Sequence, residues 1–463
     1  MTKTYDLVVI GSGPGGHHAA IQGAKLGKSV LIIEARPRVG GAGLTTGTVP
    51  SKALRELAIR AKGQPISDWA AAAQGVMARC RDIVTREVEV YEAQFARNGV
   101  QVEHGLATFV APRTIQISAP GGGRVVQAGV VVVATGTTPA RSAQVPIDGQ
   151  RIVDTDGVLD LPGAPRTLVI VGAGIVGVEY ACTFAALGAR VTLVDGRERL
   201  LPFVDHEIAE ALGYQMREAG ITLRLGEDVE SVHLDDEASG TATAVLRSRK
   251  ELRAHVILYA VGRSGNSASL NLEAAGLEVD ARGRIPVNED NETRVPGIYA
   301  VGDVAGFPGL ASVAMEQGRR AVCHAFARAV GTARHALPYG IYTIPEISFV
   351  GRTEQELTEA GVPYEVGIAY YREIARGQIR GDQAGRLKLL FHREHGGVLG
   401  VHVIGEGASE LVHIGQTVMN FGGTIEYFIE NVFNYPTLAE CYKVAALCGV
   451  NRMTAWEPGP ALV

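Results

Sequence analysis

The 463-residue chain is 46% hydrophobic and 20% charged, a globular balance with room for two to four domains of about 100–200 residues, whose cores need no disulfide staples. Its 44 basic and 49 acidic residues leave a net charge of −5, which supplies no basic footprint for nucleic acid or an anionic membrane surface. No apolar run reaches the ~18 residues of a spanning helix, and the N-terminal apolar run ends in glycines rather than in a small-residue cleavage site, so a cytoplasmic protein is expected.

The chain opens with Leu7-Val8-Val9-Ile10, a short apolar run of the kind that forms a fully buried parallel strand. Gly11-Ser12-Gly13-Pro14-Gly15-Gly16 follows, then a helical stretch from His17 to Leu26 and a second strand, Ser29–Ile33, ending at Glu34. The same device recurs downstream. Leu168–Val171 leads into Gly172-Ala173-Gly174-Ile175-Val176-Gly177, a helix from Val178 to Leu187, and a strand from Arg190 to Val194 that ends at Asp195. In both copies the acid lies 23 residues after the first glycine (34 − 11 and 195 − 172).

With 58 glycines in the chain, the glycine spacing alone carries little weight. The order strand, turn, helix, strand, terminal acid is what makes each copy a dinucleotide-binding fingerprint. Gly11 and Gly172 permit the tight turn, Gly13 and Gly174 admit a pyrophosphate, and Gly16 and Gly177 let helix and strand pack closely. The helix N-terminus offers free N–H groups and roughly half a positive charge to the phosphates. Glu34 and Asp195 are placed to accept hydrogen bonds from adenosine ribose hydroxyls. Two such sites call for two dinucleotides, and a flavin with a nicotinamide is the natural pair.

Three further buried strands end in tight turns: Val130–Val133 before Ala134-Thr135-Gly136, Ile257–Val261 before Gly262-Arg263, and Gly297–Val301 before Gly302-Asp303. Asp303 stands where ligands of α/β sheets bind, and the same place suits a helix N-cap, a compatible role. Beyond about residue 336 strand-like stretches (Leu387–Phe391, Val398–Ile404) alternate with helices (Ser409–Asn420, Thr437–Cys448), and no nucleotide fingerprint occurs. This part reads as an α+β dimerisation domain, followed after Asn451 by a loose tail. Cys80, Cys182, Cys323, Cys441 and Cys448 form no C-x-x-C and no metal-like cluster, so free, mostly buried thiols and no metal centre are expected.

Taken together, Gly11–Gly16, Gly40-Gly41, Pro50-Ser51-Lys52, Ala134-Thr135-Gly136, Gly172–Gly177, Ala260–Arg263, Ala300–Asp303 and Tyr435-Pro436-Thr437 resemble the flavin-dependent pyridine-nucleotide disulfide oxidoreductases along nearly the whole chain. The resemblance implies an α/β fold of two Rossmann-like dinucleotide-binding domains with a C-terminal α+β dimerisation domain, as in glutathione reductase. It implies an FAD domain over 1–150, an NAD(P) domain over 151–267, a return to the FAD domain over 268–335 and an interface domain over 336–463, in a homodimer or larger homo-oligomer. FAD is then held by Gly11, Gly13, Gly16, Glu34, Gly41, Lys52, Thr135, Gly136, Asp303 and Ala311. NAD or NADP is held by Gly172, Gly174, Ile175, Gly177, Glu179, Asp195, Arg197 and Gly262.

The departures from that family are informative. Its disulfide-reducing members carry two cysteines where this chain has Gly43 and Thr48, and a His-Pro pair where it has Tyr435-Pro436. A thiol relay needs two sulfurs and a base, and all three are replaced. Gly47–Glu56, Tyr339–Ser348 and Asn434–Thr437 resemble instead the soluble pyridine nucleotide transhydrogenases. That resemblance implies hydride transfer between NADPH and NAD through FAD, with Lys52 near flavin N5 and ion-paired to Glu179, and Thr48 either hydrogen-bonding near the flavin or filling space. An NAD(P)H oxidase or quinone/dye reductase using the same sites, and a non-catalytic flavin-loaded subunit, are the competing readings. Arg197 is the candidate for a 2′-phosphate, with Arg199 beside it. Tyr435 is an acid or hydrogen-bond donor to an unrecognised substrate, or a packing residue of the dimer interface.

Overall fold

The computed structural model describes residues 3–61, 69–306, 308–331 and 336–453, and the tail from residue 454 onward lies outside them. The chain divides into two compact units, Met1–Ala164 with Leu258–Thr332 and Pro165–Ile257 with Ala333–Val463.

In the first unit Lys3–Ile10 lies between Val30–Glu34 and Gly122–Val133, parallel to both, and Gln101–His104 extends the sheet beyond Val30–Glu34. Ile298–Ala300 adds a parallel strand beside the end of Gly122–Val133, whose earlier half pairs antiparallel with Thr114–Ala119. Successive side chains on a strand face opposite sides, and here both sides are buried. Val8, Ile10, Leu31, Ile33, Val131 and Val133 fill one core. Leu7, Val9, Val30, Ile32, Val130 and Val132 fill the other, against Ala19 and Ala20 of helix Pro14–Lys25 and Val88, Tyr91 and Phe95 of helix Trp69–Arg97. Continuous valine and isoleucine runs are what a strand covered on both faces requires.

The second unit repeats the parallel arrangement, with Arg190–Asp195 between Thr222–Leu225 and Thr167–Val171. A three-stranded antiparallel sheet, Val229–Leu234, Ala242–Leu246 and Glu251–Ala254, follows. The remainder is a five-stranded antiparallel sheet in the order Tyr339–Ile341, Ile347–Gly351, Val398–Ile404, Arg386–His392, Tyr364–Tyr370. Helices Ala408–Asn420 and Glu440–Val450 share its core. Within this unit Lys388, 1% exposed, holds an ion pair at 2.9 Å with Asp205, 0% exposed, and also meets Glu207 and Glu354. Burial opposes the ammonium charge, but the carboxylates of Glu354 and Asp205 outweigh it and keep Lys388 above the usual lysine range. Asp205 also caps helix His206–Glu218 by accepting the Glu207 N–H. Removing one partner of a buried pair costs about 3–5 kcal/mol. Lys388→Met is therefore expected to lower the unfolding midpoint sharply, which thermal denaturation of the holoprotein checks.

His17 stands 5% exposed on helix Pro14–Lys25, its ring 4.0 Å from that of Tyr91. Burial pushes its pKa down to about 4, helped by the neighbouring His18. An unfolded imidazole titrates near 6.5. Between pH 6.5 and 4 only the unfolded chain takes up this proton, so the stability is present above 6.5 and is lost as pH falls. At about 1.4 kcal/mol per unit the loss amounts to about 3 kcal/mol. His17→Phe is expected to flatten the acid limb of the stability profile by that amount, measured by denaturation at a series of pH values.

Candidate dinucleotide sites

Both glycine turns are built in the same way. Gly11 (φ +98°) and Gly172 (φ +104°) end their strands in the left-handed region, where glycine alone is unstrained. The helices Pro14–Lys25 and Ile175–Ala186 then start so close to the strand that a Cβ on Gly16 would collide with the Gly11 carbonyl oxygen, and one on Gly177 with that of Gly172. Neither helix has a side-chain cap or an acid in its first turn. Two other helices are capped by side chains: His206–Glu218 by Asp205, and Glu354–Glu359 by a Thr353–Glu356 capping box. The two glycine helices thus leave their N-terminal N–H donors to a ligand anion.

In the first unit the expected FAD residues converge. Ser12 donates both its N–H and its Oγ hydroxyl to Glu34 Oε2, and Ser12 Oγ accepts the Gly40 N–H at 2.9 Å. Glu34 Oε1 accepts the Arg36 N–H at 2.8 Å. Gly41 faces Gly13 closely enough that a Cβ on it would lie 2.9 Å from the Gly13 Cα, which leaves a cleft walled by backbone. Thr135 Oγ1 and Thr46 Oγ1 are buried and have no hydrogen-bond partner among the described residues, and buried polar groups ordinarily have one. Gly136 adopts φ +65°. A backbone-walled cleft, an unblocked helix N-terminus, a ribose-height carboxylate and unsatisfied hydroxyls fit a flavin dinucleotide. Asp303 lies in a 3-10 turn, Gly302–Val304, and the next described helix, Ala311–Ala325, has Leu310 rather than Asp303 at its N-cap. Its Oδ2 accepts the Thr137 hydroxyl at 3.3 Å, and Thr137 is gripped by Arg263 through its hydroxyl (2.9 Å) and carbonyl (2.8 Å). Arg263 also donates to Asp156 at 2.9 Å. Ala311 opens helix Ala311–Ala325, which likewise has no capping side chain.

Lys52 lies on helix Thr48–Ala61, with Nζ 3.3 Å from Ser51 Oγ, and Thr48 is exposed at the start of that helix. A Cβ on Gly43 would sit 2.8 Å from the ring of Pro14. A side chain at position 43 would require the Pro14 ring to shift. All five cysteines are free and four are buried. Cys80, whose thiol donates to the Pro50 carbonyl, is pushed above its ordinary pKa by burial.

In the second unit Asp195 Oδ2 accepts the Ala173 N–H at 2.5 Å and Arg197 Nη2 at 2.7 Å, while Oδ1 accepts the Arg197 N–H and Nε, each at 2.8 Å. Burial works to raise the Asp195 pKa, but the Arg197 guanidinium and the two amides outweigh it and hold the carboxyl below its usual range. Arg199 turns instead toward the His206 ring. Ile175 begins the glycine helix, and Glu179, buried one turn on, accepts the Tyr342 N–H at 2.8 Å. Gly262 (φ +80°) belongs to the first unit, where its carbonyl accepts the Ala140 N–H. Tyr435 is 73% exposed.

Sequence reasoning missed Thr137, Asp156 and Tyr342. Each acts through a partner more than 100 residues away, and no local spacing signals such a pair. The two glycine contacts generate a test of which turn serves which ligand. Gly16→Ala is expected to purify with little flavin. Gly177→Ala is expected to stay yellow yet resist reduction by NADPH, and absorbance at 450 nm reads both.

Comparison with known proteins agrees with this geometry. The family model described as pyridine nucleotide-disulphide oxidoreductase matches residues 5–318, and that family's dimerisation domain matches residues 337–446. A soluble pyridine nucleotide transhydrogenase of Mycobacterium bovis is 47% identical over 98% of both chains, and one of Colwellia psychrerythraea is 44% identical over 97% of this chain and 98% of its own. Among solved structures, the HOCl-induced flavoprotein disulfide reductase RclA from Escherichia coli superposes with a TM-score of 0.87 at 25% identity, covering 96% of this chain and 99% of its own. LpdA from Mycobacterium tuberculosis does so with a TM-score of 0.88 at 26% identity, over 96% and 99%. The fold is that of glutathione reductase, and the chain belongs to the pyridine nucleotide-disulphide oxidoreductase family.

Proposed function

We propose that this protein is a soluble transhydrogenase that moves hydride from NADPH to NAD, using one nicotinamide site in turn for donor and acceptor. The observation that carries the reading is the replacement of the redox machinery. Gly43, Thr48 and Tyr435 stand where the disulfide-reducing relatives place two sulfurs and a base, and a side chain at position 43 would press on the Pro14 ring. Relatives 44–47% identical over nearly their whole length carry the name soluble pyridine nucleotide transhydrogenase.

FAD, when bound, supplies a two-electron centre that accepts hydride from a reduced nicotinamide and returns it to an oxidised one. The residues of the chain bind and orient. Gly11, Gly13, Gly16 and Gly41 shape the cleft for the flavin's pyrophosphate, Glu34 takes the ribose, Thr135, Gly136, Asp303 and Ala311 border the remainder, and Lys52 sets a positive charge by flavin N5. Gly172, Gly174, Ile175 and Gly177 hold the nicotinamide dinucleotide's pyrophosphate, with Asp195 and Arg197 at its adenosine ribose. Glu179 keeps its carboxylate ordered by the Tyr342 amide, and Gly262 lines the nicotinamide end. The enzyme works as a homodimer through residues 337–446, which match the family's dimerisation domain. We place it in the cytoplasm, and among the described residues no helix is long and apolar enough to cross a membrane.

The test is anaerobic. NADPH should bleach the bound flavin in a stopped-flow cell, and NAD added afterwards should restore the oxidised spectrum at a rate matching turnover. Reoxidation that is fast with oxygen or a quinone and slow with NAD would establish the oxidase or quinone-reductase reading instead. Turnover abolished by a thiol-alkylating reagent would overturn the sulfur-free route.

A further inference from the structure

The two ribose-binding acids occupy the same place in the two copies, and each has an arginine two residues on: Glu34-Ala35-Arg36 and Asp195-Gly196-Arg197. Their surroundings differ. Glu34 receives three hydrogen bonds, two from Ser12 and one from the Arg36 amide. The Arg36 guanidinium points elsewhere, to Thr45 Oγ1 at 3.2 Å and Asp156 at 3.7 Å. A carboxylate offers about four lone-pair sites, so Glu34 keeps one for a ribose hydroxyl. Asp195 receives four hydrogen bonds, two on each oxygen, because the Arg197 guanidinium folds back as a fork through Nε and Nη2. No acceptor site is left on Asp195. Arg197 is still about half exposed, and among the described residues nothing bonds its Nη1.

We propose that Arg197 is a specificity-determining residue that masks Asp195 against the 2′-hydroxyl of NAD(H) while offering its free Nη1 edge to the 2′-phosphate of NADP(H). A 2′-phosphate meets a carboxylate already neutralised by its own arginine and gains a charge-assisted donor without breaking the fork. A 2′-hydroxyl reaches Asp195 only after the fork opens. Arg197 thus draws the two affinities together from both sides: it weakens the nucleotide that the acid would favour and strengthens the one that the acid would repel. This deepens the transhydrogenase reading and rests on it, since one site must then release and accept both nucleotides in each cycle.

The discriminating result is a pair of effects with opposite signs. In Arg197→Ala that retains flavin, KM for NADPH is expected to rise at least tenfold and KM for NADH to fall severalfold, each nucleotide measured alone with an artificial dye as acceptor. Arg197→Lys keeps the charge but not the fork. It is expected to recover part of the NADPH affinity while keeping the improved NADH affinity. If KM for NADH rises or stays level in both variants, Asp195 is not masked and the proposal falls. The wild-type transfer from NADPH to NAD is scored separately. Its absence would overturn the transhydrogenase reading and leave opposite-sign KM shifts intact as evidence for the mask. Its presence beside a level NADH KM would overturn the mask alone.

Discussion

The architecture of this protein hangs on a distance too short for one methyl group. In both dinucleotide-binding halves the helix begins against the carbonyl oxygen that ends the strand, and only the absence of a Cβ at Gly16 and Gly177 allows it. That closeness aims the helix N–H groups at the place where a pyrophosphate lies. It also lets the Ser12 amide, just past the first strand, reach Glu34 on its neighbour, and lets the Ala173 amide reach Asp195 in the same way. The turn, the open helix N-terminus and the acid proposed to meet the ribose are therefore one construction. Loosening the helix-to-strand contact would disturb all three together.

Chemistry is then set by what has been taken away. The region that carries a redox disulfide in related enzymes holds Gly43, packed against the Pro14 ring, and Thr48, exposed at a helix start. The thiol nearest in sequence, Cys80, is buried with its pKa raised, bonded to a carbonyl and poorly suited to act as a nucleophile. With no sulfur pair to receive electrons, the protein's work reduces to holding two dinucleotides, and selectivity shifts to the groups around each ribose. The contrast between Arg36 and Arg197 shows how one local sequence pattern yields two environments, according to where a guanidinium finds its carboxylate.

Much of this was legible from the chain alone, because it is written in local periodicity. Valine and isoleucine runs marked strands with both faces covered, and Val398–Ile404 spans the residues expected of it. The two glycine helices were expected to start at His17 and Val178 but start three residues earlier, at Pro14 and Ile175. Gly16 and Gly177 are poor helix formers, and here they occupy the first turn because the approach to the strand demands them. The helix expected from Thr437 begins at Glu440, since Thr437 spends its hydroxyl on the Asn434 carbonyl in a turn. What stayed hidden was the long-range polar wiring. In sequence Arg263 is only the end of a glycine motif, yet in the fold it ties Asp156 to Thr137 and through it to Asp303. The burial of Lys388 among three carboxylates had no local signature in its strand either.

One of the ties on Glu179 comes from a peptide N–H, that of Tyr342. Every amino acid but proline brings that nitrogen with it, so position 342 is free to drift through nineteen identities without cutting the tie. One tie on a buried carboxylate is thereby entrusted to the part of the polymer that point substitution scarcely touches.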